Sequence, residues 1–341
     1  MEHPKRQSWP DNLRIIATVA MVLLHVTSPI LYKFGAVSTA TWHWGNFIDS
    51  SVRFCVPVFV MLSGALLLGK EYHIRDFLKK RVIRVLLPFI FWSVVYIGYD
   101  LIKYSQGNYA AFFELVWNKI AHGAAYHFWY IYMIIGLYLF IPIISKAVRA
   151  CTEKEVRYFL FIWMGTMVVS HPILFRHKPN FDLSYFSGFL GYLVLGYYLS
   201  LKRKQGNWPS LYSWLLLIAG TAITILGTWL YTREKGQFDS LFYGFLTPNV
   251  LLTASGMFML VSNFEFEFKV LESIRAFLCK YSFGIYLVHV LVLSELTKKG
   301  INCFSVNPAV GIVATLVACL FISGVIVWLV NKLPGGKYIS G

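Results

Sequence analysis

The sequence predicts an all-α protein that crosses a membrane about ten times, with both termini in the cytoplasm. Hydrophobic residues make up 57% of the 341 residues, charged residues make up 14%, and the mean hydropathy is +0.60. This composition is far more apolar than that of a soluble domain. The apolar residues fall in runs of about 20, the length that a helix needs to cross a bilayer. We therefore expect one integral-membrane domain over residues 1–341.

The ten apolar runs define the predicted helices in chain order. A segment that crosses the hydrocarbon core must satisfy its own backbone hydrogen bonds, so each run is expected to be helical. The sixth run is the shortest and the most marginal. The predicted spans are 13–32, 47–69, 82–102, 127–145, 157–175, 185–201, 211–231, 241–262, 275–297 and 308–331.

The distribution of positive charge predicts the orientation. With the N-terminus inside, 21 of the 31 Lys and Arg residues fall in inner segments and nine in outer segments, while Arg53 lies within the second span. Cytoplasmic loops carry such an excess of Lys and Arg. This reading also accounts for the net charge of +15 without a nucleic-acid partner. The N-terminal tail shows no small-residue cleavage site of a secretory signal.

The five cysteines predict neither a disulfide framework nor a metal site. They are scattered along the chain, and four lie in or beside apolar runs, without the paired spacing that metal sites use. We therefore expect no bound metal. The cysteines are Cys55, Cys151, Cys279, Cys303 and Cys319.

His25 is the first candidate functional residue. It lies eleven residues after Arg14, which places the two on nearly the same helix face, roughly 16 Å apart along the axis. If Arg14 is at the membrane boundary, His25 lies deep in the hydrocarbon, where an ionisable residue is costly and often functional. The alternative is a histidine that only hydrogen-bonds a neighbouring helix.

Arg53 is the second candidate. It lies about six residues, or roughly 9 Å, below the outer boundary of its predicted span, a depth comparable to that of His25. Adjacent antiparallel spans could bring the guanidinium and the imidazole together. The alternative is that Arg53 extends to the outer headgroups.

Arg81 and Arg84 lie in the most basic stretch of the chain, before the third span. Their spacing predicts two guanidiniums on one face of a helix start. Forked donors of this kind suit phosphate oxygens. Considered as charge alone, the pair is better explained as an anchor on anionic lipid.

Two further polar sets lie in apolar surroundings. His127 and Trp129 begin the fourth span at the outer boundary, where an aromatic belt is the ordinary explanation. Ser282, Tyr286 and His289 share one face of the ninth span, with His289 near mid-depth. Mid-membrane histidines, a buried arginine and a basic inner mouth suit a proton-coupled transporter as well as an enzyme.

Five sequence motifs resemble those of acyltransferase family 3, the ten-helix membrane O-acyltransferases. They occur in the family's order and cover nearly the whole chain. The opening Trp9-Pro10-Asp11-Asn12-Leu13-Arg14 is most similar to the branch of enterobacterial common antigen O-acetyltransferases. The motifs are Asp11-Asn12-Leu13-Arg14 with Ala17 and His25, Arg53 with Val56-Pro57-Val58-Phe59 and Ser63-Gly64, Arg81-Val82-Ile83-Arg84, His127-Phe128-Trp129-Tyr130, and Tyr281 to His289.

The resemblance implies a multi-pass enzyme of the bacterial inner membrane. It implies an acyl donor, usually acetyl-CoA, that enters from the cytoplasm as a co-substrate, and a hydroxyl of a glycan or lipid-linked saccharide as acceptor. Under this reading His25 and Arg53 are catalytic, and Arg14, Arg81 and Arg84 bind the donor. Asp11, His127, Trp129, Ser282, Tyr286 and His289 support the substrate or the site.

Two rival functions remain open. A transporter or flippase would need no CoA and would show paired repeats with discontinuous spans, and no such repeat is visible in the sequence. A sensing or partner-binding membrane domain would tolerate the loss of His25. The acceptor, the length of the acyl group and the oligomeric state are not predicted.

Overall fold

The computed structural model describes residues 8–104, 109–173, 188–206, 208–264 and 272–341, and in them all regular structure is helical. Twelve α-helices follow one another along these residues. They are α1 (Trp9–Leu31), α2 (Thr39–Val52), α3 (Cys55–Leu67), α4 (Ile74–Tyr104), α5 (Tyr109–His122), α6 (Trp129–Ala150), α7 (Glu153–Ser170), α8 (Leu190–Gln205), α9 (Ser210–Lys235), α10 (Pro248–Asn263), α11 (Glu272–Lys298) and α12 (Pro308–Lys332).

Eight segments of the described chain are long and apolar enough to cross a membrane, which confirms a multi-pass helical architecture. They correspond to predicted spans one to four and seven to ten. Helices α7 and α8 occupy the positions of the fifth and sixth predicted spans, and residues 174–187 between them lie outside the described residues. The count of ten spans and the orientation of the termini stay predictions.

The second span differs from the sequence prediction in its bounds. It starts at Thr39 rather than residue 47, and it is interrupted at Arg53 and Phe54, between α2 and α3. Pro57 explains the position of the interruption, because it has no N–H to bond the carbonyl of Arg53 four residues earlier. Helical bonding resumes with Val58 N–H donating to Phe54 O at 2.9 Å.

Helix α1 lies in the middle of the bundle. In its most apolar window 56% of the residues are buried, against 22% in α4 and in α9. It packs against α2, α3, α10, α11 and α12. The large apolar side chains that α4, α9 and α12 expose, such as Val94, Leu226 and Phe321, suit a surface that faces lipid.

The short helices α3 and α8 cross at two glycines. A Cβ added at Gly64 would lie 1.8 Å from Leu193 O, and one added at Gly196 would lie 1.9 Å from Met61 O. The two backbones are therefore in contact, the close approach that small residues allow between membrane helices. This contact closes the bundle on the α3 side of α1.

The two ends of the bundle are named here by the residues of α1 that lie there. The Trp9 end holds the start of α1, and the Leu31 end holds its last residue. Arg203 at the end of α8 lies over the Trp9 ring at 5.4 Å, which places that end of α8 at the Trp9 end. By the charge rule, the Trp9 end is the predicted cytoplasmic one.

Candidate active site

Three histidines from distant parts of the chain meet inside the bundle. His25 comes from α1, His127 from the turn before α6, and His289 from α11. The ring centroids are 5.0 Å apart for His25 and His289, 5.0 Å for His127 and His289, and 6.4 Å for His25 and His127. We call these three residues the histidine cluster.

The three imidazoles differ in their access to solvent. His127 is 2% exposed and His289 is fully buried, whereas His25 is partly exposed. A reactant that enters the bundle can therefore reach His25, while the other two rings form the wall behind it. Among the residues that the structure describes, no three His, Cys, Asp or Glu side chains are placed to hold a metal ion.

Hydrogen bonds define which ring nitrogens are free. His289 Nδ1 lies 2.6 Å from the carbonyl of Tyr286, so it carries the proton and donates, and Nε2 is left as an acceptor. Within the described part of the chain, His289 Nε2 and both ring nitrogens of His127 are buried without a hydrogen-bond partner. Buried polar atoms are normally paired, and these nitrogens are therefore available to a polar reactant.

Tyr126 orients the reachable imidazole. Its hydroxyl lies 3.1 Å from His25 Nδ1, with the two rings edge to face at 5.5 Å. The contact occupies Nδ1 and leaves Nε2 of His25 for a reactant. Tyr126 is 67% exposed, so it lies at the mouth of the cluster, on the side of the Leu31 end.

Two buried tyrosines hold the helices that carry the histidine cluster. Tyr286 donates its hydroxyl to the backbone carbonyl of His127, which fixes the turn before α6 against α11. Tyr96 of α4 donates to Leu287 O at 3.2 Å and accepts from the Leu291 N–H at 3.0 Å. The cluster is thus held by α1, α4, α6 and α11 together.

Arg53 forms a buried ion pair beside the histidine cluster. Its Nε donates to Asp49 Oδ1 at 2.6 Å, and its Nη2 donates to the same oxygen. The Arg53 side chain is 11% exposed and Asp49 is fully buried. Asp49 also accepts from the hydroxyl of Thr27, which stands two residues after His25 on α1, at 3.1 Å. Arg53 is therefore held inside the bundle and does not extend to the headgroups.

Arg14 and Asp11 lie at the Trp9 end, away from the histidine cluster. They form an ion pair of 3.3 Å on the first turns of α1. The Cys279 thiol lies between them, 3.1 Å from Asp11 Oδ1 and 3.2 Å from Arg14 Nη1. This arrangement ties α1 to α11 and leaves Arg14 half-buried at this end of the bundle.

Arg81 and Arg84 also lie toward the Trp9 end, but their setting differs from the prediction. They belong to the second and third turns of α4, which begins at Ile74, so the expected position at a helix start is wrong. Arg84 is exposed and Arg81 is partly exposed. Arg84 precedes Tyr96 by twelve residues, roughly 18 Å along the helix, and Arg14 precedes His25 by roughly 16 Å. These cations are therefore about equally far from the histidine cluster.

The remaining predicted site residues either belong to or contact the histidine cluster, or lie outside it. His127 is buried in the cluster, which makes the aromatic-belt explanation wrong for this residue, whereas Trp129 is 41% exposed and stacks on Phe245 at 5.7 Å. Tyr286 touches the cluster. Ser282 shares its helix face, but its hydroxyl donates to Cys279 O, one turn closer to the Trp9 end.

Two residues at the site were not identified from the sequence. The sequence offered a signal for Asp49, because it is the only acidic residue in the predicted second span. It stands four residues before Arg53, the spacing of a helical ion pair. Tyr126 had no distinct signal, since an aromatic residue at a predicted membrane boundary is ordinary. Its contact with His25 joins residues 101 positions apart.

The fold and the site together define a multi-pass membrane protein with a histidine-lined polar centre and an exposed group of cations at one end. The acyltransferase domain model of acyltransferase family 3 matches residues 7–328, and the chain belongs to this family. It is 25% identical over 345 residues to YfiQ of Bacillus subtilis (strain 168), which is named as a candidate membrane-bound acyltransferase. The alignment covers 96% of this chain and 92% of that protein. No solved structure matches the chain significantly.

Proposed function

We propose that the protein transfers an acetyl group from acetyl-CoA at the cytoplasmic side of a bacterial inner membrane to a hydroxyl of a surface glycan or its lipid-linked precursor. The observation that carries the proposal is a reachable imidazole, His25, backed by two buried imidazoles with unpartnered nitrogens. The family supplies the reaction class, acyl transfer. The branch of enterobacterial common antigen O-acetyltransferases is the finer form of this proposal.

His25 is the general base of the proposed reaction. A neutral imidazole has an ordinary pKa near working pH and can accept the proton of an acceptor hydroxyl. In the tautomer whose Nδ1–H donates to the Tyr126 hydroxyl oxygen, Nε2 is unprotonated and receives that proton. The hydroxyl oxygen then attacks the thioester carbonyl, forming a new C–O bond and a tetrahedral oxyanion.

Arg53 stabilises the oxyanion, because a positioned cation in a water-poor site acts strongly on developing charge. Collapse of the intermediate breaks the C–S bond. The departing thiolate takes the proton from the His25 imidazolium, which gives free CoA and an ester. His127 and His289 line the site beside the reacting atoms.

Arg81 and Arg84 bind the phosphates of CoA, with Arg14 at the same end of the bundle. Guanidiniums suit phosphate oxygens because of their forked donors. Arg84 is exposed, and no carboxylate among the described residues forms an ion pair with Arg81 or Arg84. The flexible arm of CoA carries the thioester from this end toward His25. Trp129 and Tyr126, exposed near the Leu31 end, lie where a saccharide acceptor would enter.

The direct test measures acyl transfer in membranes with and without the protein. Membranes that contain it, given acetyl-CoA labelled in the acetyl group, are expected to release free CoA and to accumulate label in the glycan or glycolipid fraction. Mass spectrometry of surface glycans should show one acetyl mass fewer in cells that lack the protein. Transport of a saccharide without CoA release would favour the transporter alternative instead.

The proposed direction of donor entry requires cytoplasmic termini, and cysteine labelling tests it. The native Cys151, between α6 and α7, is exposed and belongs to a predicted inner segment. In intact cells we expect its labelling to need a membrane-permeant reagent. The matched variant Tyr32→Cys, at a residue 74% exposed at the opposite end, should react with an impermeant reagent. The reverse pattern would overturn the orientation.

A further inference from the structure

The interruption between α2 and α3 places a charged group where the helical hydrogen bonding is broken. Arg53 is the residue that follows α2, and the ring of Pro57 leaves the Arg53 carbonyl without its helical donor. A guanidinium at this depth costs free energy unless it is paired. The chain meets this cost with one carboxylate, that of Asp49, one helical turn earlier.

Both oxygens of the Asp49 carboxylate are used. Oδ1 accepts from Nε and Nη2 of Arg53, and Oδ2 lies 3.1 Å from the hydroxyl of Thr27, which donates to it. Thr27 belongs to α1 and stands two residues after His25. Asp49 therefore links the helix that carries Arg53 to the helix that carries His25, and it fixes the distance between these two residues.

The face of the guanidinium is fixed as well as its edge. Arg53 lies over the ring of Tyr243 at 4.0 Å, a cation–π contact. The Tyr243 hydroxyl donates to Asn46 Oδ1 at 2.7 Å and lies 3.2 Å from Ser50 Oγ, both on α2. The ring is held by the same helix that presents the arginine, so the guanidinium can neither rotate in its plane nor tilt freely.

Part of the guanidinium remains unused. Arg53 has five N–H groups, and Asp49 takes one from Nε and one from Nη2. Among the described residues, the other three N–H groups have no hydrogen-bond acceptor, although the side chain is only 11% exposed. A donor that is held rigidly, largely shielded from solvent and without an acceptor is arranged for an oxygen that arrives with a ligand.

We infer that Asp49 is a positioning residue of the active site: it holds Arg53 so that the free N–H groups face the carbonyl oxygen of the thioester beside His25. Thr27 completes the arrangement by holding the second carboxylate oxygen. Asp49 itself touches neither substrate nor reacting atoms. This inference rests on the proposed acyl transfer and adds to it the reason why Arg53 is preorganised.

The first test replaces the carboxylate by an amide of the same shape. Asp49→Asn is expected to lower kcat for acetyl transfer from acetyl-CoA by about 10- to 100-fold, since the loss of an oxyanion donor costs about 10²–10³ and the amide retains part of the geometry. The KM for acetyl-CoA should change less than about threefold, because the interaction acts on the transition state. Ser51→Ala is the matched control, since its hydroxyl bonds only Phe47 O on the same helix; it should match wild type.

The second test separates positioning from a purely structural ion pair. Arg53→Gln leaves Asp49 buried without its cation and should lower the thermal midpoint of the protein in detergent. The double variant Asp49→Asn/Arg53→Gln has no unpaired charge and should regain that midpoint while staying as slow as Arg53→Gln. Adding Asp49→Asn to Arg53→Gln should therefore lower kcat almost no further.

The outcomes that contradict the inference are distinct from failure of the proposed function. Asp49→Asn with a kcat within twofold of wild type would overturn the inference and leave acyl transfer intact. So would a double variant whose loss equals the product of the two single losses, because the residues would then act independently. Wild-type membranes that release no CoA from acetyl-CoA would overturn the proposed function, and the inference with it.

Discussion

Arg53 and Arg84 are guanidiniums in the same membrane protein, yet their settings are opposite. Arg53 is 11% exposed, bound to Asp49 through two nitrogens and stacked on Tyr243. Arg84 is exposed on α4, and no described residue forms an ion pair with it. The first is held in one orientation before any substrate arrives, whereas the second is free to follow a mobile anion.

This difference indicates a division of labour along the bundle. Electrostatic stabilisation of a transition state needs dipoles and charges that do not reorganise during the reaction, and the region around His25 and Arg53 has that property. Capture of a polyanion from water needs accessible, strongly charged donors, which α4 offers at the Trp9 end. Variants in the first region should therefore change kcat, and variants in the second should change KM and binding.

The largest effect is expected for His25→Ala. Loss of a general base typically costs 10²–10⁴-fold in rate, whereas loss of one intramembrane hydrogen bond costs only about 0.6 kcal/mol of stability. Acyl transfer should thus be nearly abolished while expression, thermal midpoint and CoA binding persist. Transfer assays measure the loss of activity, and calorimetry with CoA measures the binding that should persist.

His43→Ala is the matched control for this variant. It also removes an imidazole from the same membrane bundle, but the His43 ring packs against Trp42 and Trp229 rather than against the histidine cluster. We expect it to retain wild-type transfer. A His25→Ala protein that keeps more than about a tenth of wild-type turnover would lie outside the general-base range, and the base would have to be sought at His289.

A smaller effect, confined to binding, is expected for Arg81→Ala and Arg84→Ala. Each removes a charge-assisted contact to phosphate, which is worth roughly 1.5–3 kcal/mol, or about tenfold or more in affinity for acetyl-CoA. The kcat should stay near wild type. Calorimetry with CoA and the KM for acetyl-CoA measure the change.

Arg149→Ala separates a specific phosphate contact from the loss of any positive charge at this end. The Arg149 guanidinium already bonds Glu71 at 2.7 Å, and this hydrogen bond lowers the pKa of the Glu71 carboxyl. Because Arg149 is committed to that carboxylate, its loss should leave CoA binding unchanged. If a well-folded Arg81→Ala/Arg84→Ala protein also binds CoA normally, the two arginines anchor lipid. The division between a catalytic region and a donor-binding region would then be wrong.

The fold class could be predicted because long apolar runs leave the backbone no alternative to helix. The details that failed are helix starts: the second span begins at Thr39 rather than at residue 47, and Ile74 starts α4 early enough to place Arg81 inside the helix. The α3–α8 contact depends on Gly64 and Gly196 meeting across the bundle, which no local pattern specifies.

The candidate site was predictable in its ionisable residues and not in its contacts. An intramembrane His or Arg is conspicuous in a sequence because hydrocarbon penalises it, and so His25, Arg53 and His289 could be identified. Which nitrogen faces which partner is decided by tertiary packing. His127 illustrates the limit, since its neighbours suggested an interface belt while the structure buries it against His289.

The smallest effect is expected for Tyr126→Phe, which tests how finely the catalytic region is fixed. The change removes the hydroxyl that lies 3.1 Å from His25 Nδ1 and keeps the ring that packs at 5.5 Å. One neutral hydrogen bond is worth about 0.5–1.5 kcal/mol, which corresponds to a fall in kcat of about 2- to 13-fold. The KM for acetyl-CoA should not move, because Tyr126 belongs to the catalytic region and not to the group of cations.

Tyr32→Phe is the control for Tyr126→Phe, since it removes a phenolic hydroxyl from a residue that is 74% exposed at the same end, and it should leave kcat unchanged. If Tyr126→Phe lost as much activity as His25→Ala, the phenol would take part in proton transfer itself. If it lost none, the imidazole would be oriented by its packing against His289 alone, at 5.0 Å. An intermediate loss in kcat with a constant KM is the result expected for a hydrogen bond that orients a general base. Losing this bond raises the energy of the transition state through the base and leaves the binding of acetyl-CoA unchanged.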